Sequence, residues 1–150
     1  MKKQIFGAVV TGCLLALMIA APAHAQMPGT TMRASIPFDF IVRGKTLSAG
    51  NYEIKRITDS PEGLVIQNIN EKRNHVVFET EPAEPRKTPN NSEIIFHRYG
   101  DSYFLSEVVT AGEEMGQELL PSRAERELRR ELASNTSNRG EAEIVVLAVY

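Results

Sequence analysis

The run SEIIFHRYGDSYFLSEVVT, residues 92–110, decides the fold. Its halves, Ser92 to Tyr99 and Ser102 to Thr110, are rich in β-branched and aromatic residues, and Gly100-Asp101 stands between them. Such a pair between strand-like runs is a two-residue hairpin signal, because the tight turns that match strand twist need a positive φ that glycine adopts without strain. The turn sets the register: Tyr99 faces Ser102 and Arg98 faces Tyr103. In the second strand Leu105, Glu107 and Val109 share one face, and Phe104 and Val108 the other. If the first face is inward, the Glu107 carboxylate is buried at a desolvation cost that a partner must offset, with Arg98 as a candidate several residues away. The expected arrangement is the second, with Phe104 and Val108 inward and Glu107 in water, because carboxylates are seldom buried.

Ala34, Ile36, Phe38, Phe40 and Val42 alternate with Arg33, Ser35, Pro37, Asp39 and Arg43, the period of a half-buried strand. Pro37 lacks an N–H, which suits an edge position or a bulge. Gly44 to Gly50 reads as a turn, and a second strand runs from Tyr52 to about Thr58. Ser60-Pro61-Glu62-Gly63 has the proline and glycine of a type I turn. Leu64 to Ile69 and His75 to Thr80 are strands around a polar loop, Asn70 to Asn74. Glu81 to Asn91 carries Pro82, Pro85 and Pro89 with no apolar period, and reads as an exposed loop.

After 111–121, which shows no strand pattern, Ser122-Arg123-Ala124-Glu125 has the form of a capping box. In it the Ser122 hydroxyl accepts from an early helix N–H, and Glu125 reaches back to the Ser122 N–H. A helix over about 122–134 follows, with Arg123 to Ala133 as its body. Glu125 and Arg129 form an i,i+4 pair, and Ala124, Leu128 and Leu132 a narrow apolar stripe, so the helix should lie on the β-core with most of its surface wet. Beyond a polar linker, Ser134 to Gly140, the segment Glu143 to Tyr150 is a last strand, apolar on both faces and so expected to be central or covered.

These elements predict a mainly β fold: an antiparallel meander of about seven strands with one helix packed on it. Pairing of the last strand with the first would close a small barrel and remove the edges; a two-sheet sandwich fits the same pattern.

The N-terminus has the form of an export signal. Met1-Lys2-Lys3 is a basic start, Ile5 to Ala21 is apolar, and Pro22-Ala23-His24-Ala25-Gln26 ends in a small-x-small site. The expected division is a signal peptide over 1–25, cut between Ala25 and Gln26, and a single β-rich domain over 26–150. The apolar run is short for a span of about 20 residues, which argues against a transmembrane anchor. Val10-Thr11-Gly12-Cys13 loosely resembles a lipoprotein box, but the apolar run continues past Cys13, whereas a lipidated cysteine ends such a run. Removing 1–25, which holds Lys2, Lys3 and Cys13, takes the formal charge from −2 to −4 and leaves a chain with no cysteine. Stability must then come from a packed core, and export to the periplasm or the medium is the expectation. No basic tract supports nucleic-acid binding, and the absence of Trp counts against a sugar-stacking module.

Chemistry-bearing residues are sparse. His75 and His97, with Glu79 and Glu93, show no metal-ligand spacing, and no metal or cofactor is expected. Asp39, Glu53, Asp101 and Glu107 could supply an acid/base pair only if the fold brings two together. No serine sits in a nucleophile-elbow context, and Gly112 to Gly116 is no phosphate loop. The weak catalytic candidates are Glu107 and His97.

Three segments carry a resemblance: IPFDFIVRGKTLSAGNYEI at 36–54, FHRYGDSYFLSEVVTAG at 96–112 and GQELLPSRAEREL at 116–128. Together they resemble a family of small secreted proteins of uncharacterised function from soil-type bacteria. The resemblance implies a signal peptide and a β-rich domain, and transfers no activity or site residue. The expected function is a non-enzymatic binding or envelope-associated domain, its partner a small ligand or an envelope protein. Its site would lie near 81–91 or 111–121, at the mouth of the barrel. The alternatives are a small hydrolase or isomerase using carboxylates and His97, and a small outer-membrane barrel.

Overall fold

In the computed structural model, residues 31–57, 60–84, 87–135 and 142–149 are described. The expected signal peptide, its cleavage site at Ala23, Ala25 and Gln26, Cys13, and most of the 134–140 linker lie outside them. The described residues form strands β1 (Thr31–Ile36), β2 (Phe40–Val42), β3 (Lys45–Leu47), β4 (Gly50–Ile57), β5 (Ser60–Asn68), β6 (His75–Glu79), β7 (Glu81–Pro82), β8 (Ser92–Tyr99), β9 (Ser102–Val109) and β10 (Gln117–Glu118). Helix α1 (Arg123–Asn135) and strand β11 (Glu143–Val149) complete them.

The fold is mainly β, with two sheets and one helix in the C-terminal half. A four-stranded sheet has the order β1-β4-β5-β6. A seven-stranded sheet has the order β11-β8-β9-β10-β7, with β2 joined to β9 and β3 to β2. One sheet curls like half a barrel. The described ladder of β1 is with β4 and that of β11 is with β8; β1 and β11 lie side by side without a ladder between them. The two-sheet alternative therefore describes the architecture better than a barrel closed through β1 and β11.

Alternation accounts for the core. Met32, Ala34 and Ile36 of β1, Tyr52 and Ile54 of β4, and Leu64 and Ile66 of β5 point from the smaller sheet into one apolar layer. Ile94 and Phe96 of β8 and Leu105 and Val108 of β9 meet them from the larger. Phe40 sets its ring edge-on against both Tyr52 and Phe96, at centroid distances of 5.1 and 5.6 Å, and so ties the layers together.

Several elements depart from the sequence reading, each for a local reason. The alternating run 34–42 breaks after Ile36 at Pro37, beyond which β1, an edge strand, cannot continue its ladder. The expected turn over 44–50 is a tighter hairpin: Arg43 (φ 52°) and Gly44 (φ 86°) both take positive φ, the requirement of a type I′ turn, and β3 follows at once. Residues 60–63 are strand, not a type I turn. Ser60 pairs with Ile57, and the Glu62 carbonyl accepts from both the Thr80 N–H (2.9 Å) and the Thr80 hydroxyl (2.8 Å), so the ladder overrides the local turn signal. The loop 81–91 and the segment 111–121 contain β7 and β10, which pair with each other. Finally β11 is an edge strand, not a central one, and Ile144 and Val146 are 65% and 50% exposed.

Candidate functional site

Alternation along β8 sends Ile94 and Phe96 into the core, and Glu93, Ile95 and His97 to the outer face of the larger sheet. The neighbouring ladder places Ile144 opposite His97 and Val146 opposite Ile95, so the exposed side chains of β11 belong to the same face.

Strand β9 reaches that face through a bulge. Phe96 pairs with Leu105, but Ile95 pairs with Glu107, so Ser106 is the extra residue. Leu105 and Val108 point into the core, whereas Ser106 and Glu107 both line the outer face. Each of the two orientations weighed for this strand thus holds for one half of it. Glu107 is not in water, as expected, but 6% exposed. Arg98 is not beside it; that guanidinium lies over the Tyr103 ring and bonds the Gly100 carbonyl and Glu143. Two neighbours fix the bulge. The Leu119 N–H donates to the Ser106 carbonyl at 2.7 Å, and Gly116 lies so close that a Cβ there would collide with the Glu107 carboxylate.

Helix α1 covers one end of the same face. The Ser122 hydroxyl accepts from the Glu125 N–H at 3.2 Å, the first half of the expected capping box. The second half is not formed. The Glu125 side chain turns toward the sheet, is 5% exposed, and meets His97 Nδ1 at 3.2 Å and the Tyr99 hydroxyl at 3.5 Å through Oε1. The sheet-facing stripe is consequently Glu125 with half-buried Leu128 and Leu132, while Ala124 is exposed. The helical i,i+4 ion pair is Arg123–Glu127 at 2.7 Å, and Glu125 is engaged with the sheet instead of Arg129. Burial, and then the Glu125 charge, push the Tyr99 phenol above its ordinary 10.0, which keeps it a donor.

On its other side, His97 Nε2 lies 3.1 Å from Ser106 Oγ. The direction of donation along this chain follows from valence. An ionised carboxylate only accepts, so Nδ1 carries the ring hydrogen and donates it to Glu125; Nε2 of the neutral ring is then bare and accepts from the Ser106 hydroxyl. The result is a relay, Ser106 to His97 to Glu125, whose open end faces a cleft.

That cleft has a volume of about 480 Å³, within the range of small-molecule sites, roughly 300–1,000 Å³. Ile95, Ile144 and Val146 form an apolar wall, and His97, Ser106 and Glu107 lie together in the polar part. Ala83, Glu84 and Glu118 close the side formed by 81–91 and 111–121, the two segments expected to flank a site. Two other hollows carry less. One of about 540 Å³ is lined by residues 70–74 alone, the concavity of a hairpin loop. One of about 290 Å³ lies beside the Arg56–Glu113 ion pair and brings together no relay of this kind.

Of the residues singled out in the sequence, the fold brings His97, Glu107 and Glu93 to one cleft. It leaves the others apart. His75 and Glu79 are exposed on β6, and Asp101 is exposed in the hairpin turn. Asp39 accepts from the Ala49 N–H. Glu53 pairs with Lys55 and Arg33, and the hydrogen bond from Lys55 holds its carboxyl below the ordinary 4.5. No cluster of three or more His, Cys, Asp or Glu that could hold a metal ion occurs among the described residues. Ser106 and Glu125 are site residues to which the sequence assigns no chemistry, Glu125 reading there only as part of a capping box and a helical ion pair. Ser106 was within reach, because the hairpin register sets Phe104 opposite His97 and alternation carries Ser106 to the same side. No protein-family model, curated protein or solved structure matches the chain.

Proposed function

We propose that the protein is an exported binding domain that holds a small ligand in the cleft on the outer face of its larger sheet. The observation that carries this is the composition of that cleft: an apolar wall of Ile95, Ile144 and Val146 beside the polar group of His97, Ser106 and Glu107. Ile144 and Val146 are costly in water, and a ligand with an apolar body would cover them, while a hydrogen-bonding end reaches the polar group. Export rests on the basic start, apolar run and Ala23/Ala25 site of the N-terminus.

Native mass spectrometry of the protein purified from the envelope of its own host tests this reading. A chain beginning at Gln26 is expected, carrying an extra mass that unfolding releases and that the Val146→Glu variant lacks. A bare chain, or an adduct retained by that variant, contradicts it.

A further inference from the structure

We infer that Ser106 is a nucleophile and that the cleft accepts small carboxylic esters, with the acyl group lying along Ile95, Ile144 and Val146. The inference rests on the cleft being the ligand site and adds the chemistry performed there.

Three features set Ser106 apart from a serine that merely satisfies its hydroxyl. First, its hydrogen-bond partner is His97 Nε2 at 3.1 Å, the nitrogen left bare in the neutral Nδ1–H tautomer, and that is the relation of nucleophile to general base. Second, that imidazole is fixed from behind by a carboxylate at 3.2 Å, buried under α1, which selects the Nδ1–H tautomer and stabilises the ring when it takes up a proton. Third, serine, imidazole and carboxylate come from three separate elements, β9, β8 and α1, and the serine sits at a bulge whose carbonyl is held by Leu119. A bulge beside a site is a recurrent means of aiming a side chain.

The reaction balances with water as the only co-reactant. Ser106 Oγ bonds to the ester carbonyl carbon as Nε2 of His97 takes the hydroxyl proton. The tetrahedral adduct collapses, the carbon–oxygen bond to the alcohol breaks, and the alcohol leaves with the proton from Nε2. Water then attacks the acyl-Ser106 ester, passes its proton to Nε2, and the carboxylic acid departs as Ser106 Oγ regains that proton. His97 acts on the reacting atoms. Glu125 is a positioning residue, acting through His97. The step to measure is acylation of Ser106, because an acyl group on that serine is the direct mark of its attack on the ester carbonyl.

The test incubates the mature protein with p-nitrophenyl acetate and p-nitrophenyl butyrate and reads intact mass, followed by peptide mapping. One acyl group per chain on the peptide containing Ser106 is expected. Ser106→Ala should take up none, and His97→Ala should acylate on the order of a hundredfold more slowly or less. Glu125→Gln should slow acylation and shift its pH profile, a change that a purely structural contact would not produce. No acylation of the wild-type chain, or acylation spread over lysines and undiminished in Ser106→Ala, overturns the inference. The mapping needs no variant, so it stands even if a substitution fails to fold. If the host-purified chain carries a releasable ligand but is not acylated, the nucleophile falls and the binding reading stands. If Ser106 is acylated but no ligand accompanies the protein and Val146→Glu acylates normally, the binding reading falls, and with it the placement of the acyl group along Val146, while Ser106 remains the nucleophile.

Discussion

Glu107 and Gly116 show how one contact dictates a residue type. The Glu107 side chain is buried against the α-carbon of Gly116, where any Cβ would overlap it. Gly116→Ala should therefore destabilise the protein by about 1–3 kcal/mol, the usual cost of overpacking, seen as a lowered urea midpoint. The double variant Gly116→Ala with Glu107→Ala should recover part of that loss, and a loss unchanged in the double variant would place its origin elsewhere. Tyr99 makes a second prediction. Its phenol ionises above 10.0 in the folded chain because burial and the Glu125 charge oppose the phenolate. A raised folded-state value means that this stabilisation is complete below about 10 and is lost as the pH rises through the folded value. Spectrophotometric titration should show a tyrosine ionising above 10.0, and Tyr99→Phe should remove that step.

Among the elements, what the sequence revealed depended on whether the deciding signal was local. The β8–β9 register was legible because a two-residue turn leaves no freedom in it, and the pairs Tyr99–Ser102 and Arg98–Tyr103 follow. The bulge at Ser106 was not legible. LSEVV reads as strand in either orientation, and only the core shared with its ladder partner Ile94 selects an inward position for Val108. Helix α1 shows the converse. Ser-x-x-Glu has a complete local explanation, which hid the longer reach of Glu125 to His97. Only the Ser122 hydroxyl bond of the box is made, so Ser122→Ala should cost about 1 kcal/mol in denaturant unfolding. Strand β11 departs from the central place expected of it because apolar residues on both faces usually mean burial, whereas here one face lines an open cleft.

For the whole molecule, β content and the late helix followed from periodicity, while the choice between barrel and two sheets turned on which distant strands pair, a matter that no local signal carries. The core joins both sheets through Phe40, Tyr52 and Phe96, all fully buried. Phe96→Ala should cost about 3–5 kcal/mol, a large share of the stability of roughly 5–15 kcal/mol expected of a small domain. A loss under about 1 kcal/mol would mean that the sheets do not share this layer. The cleft lies on the side of the larger sheet away from that core, so its polar chain is held by α1 and not by the central packing. The claim on which the site depends is that α1 fixes His97 with its hydrogen on Nδ1 and a bare nitrogen toward Ser106. Nitrogen-15 NMR of the imidazole rings in the chain beginning at Gln26, which lacks His24, with His75 replaced to leave one signal set, reads this directly. The account predicts a neutral His97 ring protonated at Nδ1, and loss of that preference in Glu125→Ala. A neutral ring protonated at Nε2 would contradict it, because Ser106 would then face a donor and have no base.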